Sequence, residues 1–306
     1  MTAQESKEYL DLKAILAMVL ITFVWGFNHT TIKYSNQGIS PVFASLLRSV
    51  IASACGVIYC LVQRQKLFHT GIMLFHGSMV GLLFGLEFAC IYIGLLYTDA
   101  ARSVVFVFMA PFVIALGAHF FLKGDRLTLL KTVGLILAFL GVYLIFQGRP
   151  VMAKPTMFIG DILAVLAAIF YGATIVYIKK FMAEKVHPIN TFLYQLIFSI
   201  PILLIVSLIL ESRWIFRWDV SIGAALFYQS FMVAFISYFA WFKLIHQYSI
   251  SRLSAFTFLT PVFGVFSGVL FLHEELTHSL VVGVPLVCLG ISLVNWKRKI
   301  PGPSMT

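Results

Sequence analysis

The chain is written as a succession of apolar runs, each long enough to cross a bilayer, with little sequence between them. The runs cover 13–34, 42–62, 73–96, 103–122, 129–147, 159–179, 189–210, 221–244, 252–272 and 279–296. About 20 mostly apolar residues make one helical crossing of the hydrocarbon core. In lipid the backbone must satisfy its own polar groups, so runs of this length read as helices. Charges and turn residues punctuate them: Asn36-Gln37-Gly38 before Pro41, Arg64 to His69, Lys123-Gly124-Asp125-Arg126, Gly148 to Pro155 and Glu211 to Asp219. The sequence therefore predicts an all-α polytopic membrane protein of ten transmembrane helices, called spans one to ten below. Composition agrees, with 60% hydrophobic and 11% charged residues, where a soluble domain carries about a quarter charged. No stretch remains for a soluble domain.

The net charge of +10 is a topology signal, because the basic residues sit in the connections between spans. Of the 22 Lys and Arg, Arg48 lies inside a span, 15 fall on the side of the N-terminus and 6 on the other. Basic residues mark the cytoplasmic side, so both termini are expected there, in the inner (plasma) membrane of a bacterial cell. A nucleic-acid partner is not expected. The first apolar run is full length, lacks a small-residue cleavage site and follows the mixed-charge segment MTAQESKEYLDLK, so it reads as a retained helix. Cys55, Cys60, Cys90 and Cys288 all lie in apolar runs without metal or redox spacing and read as small hydrophobes.

The two halves repeat. Trp25-Gly26 with Lys33 matches Tyr171-Gly172 with Lys179, and Pro41 with Arg48 matches Pro188 with Gln195. Arg102 stands nine residues before Pro111, as Arg252 does before Pro261. Leu127-Thr128, Gly134 and Gly141 match Leu276-Thr277, Gly283 and Gly290, and the offset drifts only from 146 to 150 across the half. Five spans per half is an odd number, so the second half enters the membrane from the opposite side. The expected architecture is two inverted five-helix repeats, 13–148 and 159–296, with a site near the midplane between them.

The chain resembles the drug/metabolite transporter superfamily of the EamA-domain type. The resemblance is carried by Trp25-Gly26…Lys33, Ala44-Ser45-Leu46-Leu47-Arg48, and Tyr97 through Leu122 with Ala101-Arg102 and Ala110-Pro111. In the second half it is carried by Ser251-Arg252, Thr260-Pro261-Val262 and Leu272-His273-Glu274-Glu275-Leu276-Thr277. The first half departs from it, since Lys123-Gly124-Asp125-Arg126 has only one acid in the corresponding turn. The resemblance implies transport, most often export, of amino acids, metabolites or drugs, along a pathway built from the first, third, fourth, sixth, eighth and ninth spans.

Glu87 is the sharpest candidate. A carboxylate in mid-membrane costs several kcal/mol unless it is neutral, paired or hydrated. Gly81, Gly85 and Ala89 recur every four residues on the same helix and form a small-residue stripe suited to close packing. Glu87 points about 160° away from that stripe, toward a cavity or a partner. Two readings stand: a cavity carboxylate for substrate or proton, or a structural pair with Arg48, whose depth differs by roughly 3–5 Å. Their counterparts Ser237 and Gln195 are uncharged, so the symmetry fails at this place.

Span one shows Thr22, Trp25, Asn28, His29 and Lys33 within an arc of about 140°. Trp25, Asn28 and His29 are candidates for the pathway, or for interhelical bonds and interfacial anchors. The matching residues of span six are Tyr171 and Thr174. Ser237, Tyr238 and Trp241 share a face of span eight that stacks on a flat or cationic ligand or simply packs. Thr257 lies on span nine with Pro261. Pro111 and Pro261, in matching interior positions, each remove a helical hydrogen bond and mark a binding or moving element. Gln195 joins Arg48, Pro111 and Pro261 as a structural or coupling candidate.

The remaining motifs exclude other chemistry. His273-Glu274-Glu275-Leu276-Thr277 lacks the second histidine of a zinc-protease helix, and neither a Walker-type phosphate loop nor a Gly-x-Ser-x-Gly elbow occurs. No cofactor or metal is expected. A membrane enzyme would need two or more intramembrane acids, a nucleophile with a base, or a metal cluster, and a channel a ring of charges or a filter sequence. The expected function is secondary transport, in the export direction, of a small organic metabolite such as an amino acid or drug-like compound. It is coupled to protons at Glu87 or runs downhill. The alternative is import or exchange of a nucleotide-like or cofactor-like metabolite. Expected partners are that substrate and the bilayer, for a monomer or homodimer.

Overall fold

The computed structural model describes residues 7–98, 100–147, 156–272 and 278–296. The turn at 273–277, the connection at 148–155 and the basic residues at 297–299 lie outside them. The described chain is helical: α1 (Leu12–Ser35), α2 (Pro41–Val62), α3 (Ile72–Gly94), α4 (Ala100–Val107), α5 (Ala110–Phe121), α6 (Leu129–Phe146), α7 (Met157–Phe181), α8 (Pro188–Leu210), α9 (Val220–Phe227), a π-helical stretch Tyr228–Ser237, α10 (Tyr238–Gln247), α11 (Ile250–Phe256), α12 (Leu259–Leu272) and α13 (His278–Val294). Among the described residues nine stretches are long and apolar enough to cross a bilayer, and Val281–Val294 is a shorter apolar one. The protein is an all-α polytopic membrane protein.

The distribution of side chains suits lipid. Leu16, Leu20, Phe120 and Val281 are exposed, whereas Thr22, Ser49, Thr174, Asn190 and Ser230 are buried. Apolar residues outside and satisfied polar residues inside are what a bilayer requires. The helix starts follow from local chemistry. Asp11 accepts from the Ala14 N–H, Thr128 from Lys131 and Asp219 from Ile222, each satisfying a donor that the first turn leaves open. Pro41 and Pro188 begin α2 and α8, where their missing N–H costs nothing.

Spans four and nine are broken, at Phe108–Met109 and Thr257–Phe258. In both, the proline lies in the first turn of the following helix, so the chain restarts there rather than kinking through. The ends tighten: Met109 N–H reaches the Phe106 carbonyl at 3.0 Å and Thr257 N–H reaches Ser254 at 3.0 Å, three-residue spacings typical of helix termini. Phe108 and Phe258, one from each break, face one another with ring centroids 6.2 Å apart.

Glycines set the helix contacts. A Cβ at Gly77, Gly81 or Gly85 of α3 would run into Tyr194, Phe198 or Ile202 of α8. The constant difference between partners makes these helices parallel, and it uses the stripe opposite Glu87. A Cβ at Gly26 would meet Phe263 of α12, and one at Gly172 of α7 would meet Val113 of α5. Span one thus seats span nine as span six seats span four. Between α6 and α13 the partners are Gly134 with Gly290 and Gly141 with Gly283. Here the sum is constant, so the two helices cross antiparallel.

Candidate substrate cavity

A cavity of about 190 Å³ lies where the broken spans meet. Span one gives Trp25, span three Phe84, Glu87 and Phe88, and span four Val107, Phe108, Ala110 and Pro111. Span six gives Tyr171 and Ile175, span seven Gln195, span eight Tyr238, Trp241 and Phe242, and span nine Thr257 and Thr260. Both halves contribute. The wall is aromatic, and Glu87 is the single acid among these lining residues.

The aromatic rings hold one another in place. Trp25 meets Tyr238 edge-on at 6.0 Å and Trp241 at 5.7 Å, and Phe84 meets Phe88 at 4.7 Å. These are favourable edge-to-face and tilted arrangements. Trp25 Nε1 donates to Ser237 Oγ at 2.8 Å, and Ser237 donates to the Val233 carbonyl. Ser237 closes the π-helical stretch, a wide turn of the kind that recurs at functional sites. That stretch is anchored on span one by Gln229, which donates to Ser35 Oγ at 2.9 Å.

Glu87 is 8% exposed and its Oε2 has no hydrogen-bond partner among the described residues. Arg48, 4% exposed, leaves Nε and Nη2 without partners among the described residues and lies over the Phe88 ring, 5.2 Å from its centroid. No ion pair within 4 Å joins Arg48 to Glu87 among the described residues.

Of the residues singled out in the sequence, Trp25, Glu87, Tyr171, Tyr238, Trp241 and Thr257 meet around the cavity with Gln195 and Pro111. Asn28, His29, Thr174, Arg48 and Pro261 are not among its lining residues, and Ser237 stands behind Trp25. Asn28 is buried and accepts from Thr31 within α1. His29 is exposed, beside Gly264 of α12. Thr174 donates to the Phe170 carbonyl of its own helix. Phe84 was readable from periodicity, since the residue three before Glu87 shares its face, whereas Phe88, one after it, stands about 100° round the helix. Phe108 and Phe242 carry no such signal.

A second polar cluster lies at the end of the bundle where Lys7 bonds to Gln247. Lys131 Nζ donates to Asp125 Oδ1 at 2.8 Å, to the Arg126 carbonyl at 2.9 Å and to Ser251 Oγ at 2.8 Å. Asp125 also accepts from the Ser251 N–H and hydroxyl. Arg252 donates to the Val294 carbonyl at 2.8 Å, and Lys179 to the Ile245 carbonyl at 2.8 Å. This clasp ties the connection between spans four and five to the start of span nine, and span six to span eight. His76 is held by Tyr177 at 2.7 Å, and His119 accepts from the Leu127 N–H. Among the described residues no cluster of His, Cys, Asp or Glu is placed to hold a metal.

A helical bundle with an aromatic, acid-bearing chamber between two sets of broken spans is the architecture of a membrane transporter. The chain belongs to the EamA-like transporter family, whose model matches it twice, at residues 12–147 and 158–296. It is 25% identical over 292 residues to the uncharacterised transporter YoaV of Bacillus subtilis, covering 94% of this chain and 99% of that one. It is 26% identical over 298 residues to a probable amino-acid metabolite efflux pump of Escherichia coli, covering 94% and 97%. A solved crystal structure aligns with a TM-score of 0.78 at 18% identity, covering 92% of this chain and 96% of that one, a likeness of fold.

Proposed function

We propose that the protein exports small amphipathic metabolites of the amino-acid class across the inner membrane, exchanging them for protons carried by Glu87. Both termini lie in the cytoplasm, and the two five-helix units, 13–148 and 159–296, are inverted repeats that alternately open the cavity to either side. One observation carries this reading: a buried carboxylate with an unpartnered oxygen in an aromatic chamber between broken spans. A bare carboxylate there costs several kcal/mol, which a proton or a cationic ligand removes. Competition between the two for one oxygen couples their movements. The relatives named as amino-acid metabolite efflux pumps support the substrate class.

The test uses proteoliposomes with an acidic lumen and a panel of tritiated amino acids. Wild-type protein is expected to accumulate at least one of them above protein-free vesicles, and a protonophore to abolish the accumulation. Glu87→Gln is expected to lower gradient-driven uptake by about tenfold, the loss of roughly 1.4 kcal/mol of coupling, and to flatten its pH dependence. Unchanged uptake and pH dependence in Glu87→Gln would refute the role of the carboxylate. Absence of uptake for the whole panel would refute the substrate class.

A further inference from the structure

Arg48 and Glu87 are opposite charges, each nine-tenths or more buried and each with polar atoms that find no partner among the described residues, and Arg48 lies over the ring of Phe88, the residue next to Glu87. Glu87, Phe88 and Tyr238 line the cavity, so Arg48 stands one ring away from its wall. Leaving a buried charged group without its hydrogen bonds costs more than leaving a neutral one so. Removing both costs would take only closure of the pair, and the two residues lie at similar depth. The chain leaves the pair open instead, with Glu87 on the aromatic wall of the cavity and Arg48 outside that wall, over the ring of Phe88.

We propose that Arg48 is a specificity-determining residue: with Glu87 it forms the two poles of one site that takes a zwitterion with an apolar side chain. The ligand's ammonium group sits on the Glu87 carboxylate and its side chain against the rings of Trp25, Tyr238 and Trp241, while its carboxylate meets the Arg48 guanidinium once the Phe88 ring that covers it turns aside. A guanidinium fork matches a carboxylate in two hydrogen bonds, which explains a buried arginine where its repeat counterpart is Gln195. A site built with both poles rejects a ligand lacking either, because the abandoned pole is then buried unpaired. This inference rests on the proposed transport function and narrows its substrate.

The test is a set of matched ligands titrated against purified protein at neutral pH by thermal shift and calorimetry, since a ligand of the folded state raises apparent stability by mass action. Phenylalanine, tryptophan and leucine are each compared with the amine lacking the carboxylate and the acid lacking the amine. At least one amino acid is expected to bind tenfold or more tightly than both of its counterparts. Arg48→Gln is expected to erase the advantage over the amine while amine binding survives, and Arg48→Lys to restore part of it. The inference is overturned if, in wild-type protein, every amine binds within about threefold of its amino acid, which is the result expected if water alone bridges the two poles. It is also overturned if no amino acid binds, or if Arg48→Gln keeps the discrimination. The wild-type series does not depend on the variants folding. Uptake of amines that needs Glu87 but ignores Arg48 would leave the transport reading standing and remove this one.

Discussion

Replacing Asp125 by Asn is expected to destabilise the protein by about 3–5 kcal/mol, the cost of stranding one member of a buried ion pair. Asp125 and Lys131 are each 5% exposed. The Lys131 ammonium has three donors and the structure uses all of them, on Asp125, the Arg126 carbonyl and Ser251. Asparagine keeps the shape of Asp125 and removes its charge, so the ammonium is left buried against a neutral amide. Lys131→Met should cost a similar amount. The double variant should lose less than the sum, because removing both charges leaves neither stranded, and a double-mutant cycle reads the difference. Thermal unfolding in detergent at pH 7 measures all three. A single variant as stable as wild type would show that the clasp contributes nothing.

The same group gives the clasp a pH window. Burial alone works against ionisation of Asp125, but Lys131 and the donors of Ser251 outweigh it and hold the carboxyl below its ordinary value. A carboxyl whose value is lowered by folding binds fewer protons in the folded state. Its contribution is therefore complete above about pH 4, the unfolded value, and disappears as pH falls through the folded one. Asp125→Asn should flatten that part of the acid limb of the stability profile.

How far these features were readable in the sequence depends on which interaction made them. Helix starts and ends were readable within a few residues, because hydropathy and Pro, Gly and Asp punctuation act locally. The breaks before Pro111 and Pro261 were readable for the same reason. So was the direction of Glu87, since the Gly81–Gly85 stripe fixes the opposite face of α3. The clasp was not: Asp125 and Ser251 are 126 positions apart, and nothing in a turn with one acid announces a partner on another span. Depth along a helix placed Arg48 level with Glu87, but depth does not give distance, and the pair is open. The polar stripe of span one divides between two neighbours, Trp25 facing the cavity and His29 lying against Gly264. Helical periodicity gives a direction and does not say which helix stands there. The π-helical turns of span eight have no composition of their own, and the stretch packs against spans one and two, distant in sequence.

Gly141→Leu is expected to cost about 3 kcal/mol, the upper end of what overpacking a tight contact costs. A Cβ at Gly141 would lie 2.6 Å from the Gly283 carbonyl oxygen and 2.8 Å from the Val287 nitrogen. One at Gly283 would lie 2.7 Å from the Gly141 carbonyl oxygen. Backbone is among the obstacles on each side and cannot swing aside as a side chain can, so α6 and α13 have to move apart along their length. In lipid such contacts have no hydrophobic drive behind them, and close approach of small residues supplies the attraction. Separation therefore loses the contact itself and does more than strain it. The loss is expected as a lower unfolding temperature and a smaller monodisperse fraction on size exclusion. Gly223→Ala provides the control, since a Cβ there reaches only the Trp218 ring, at 3.4 Å, and should leave both measurements near wild type. If Gly141→Leu behaves like that control, the antiparallel glycine contact is not what joins these two helices.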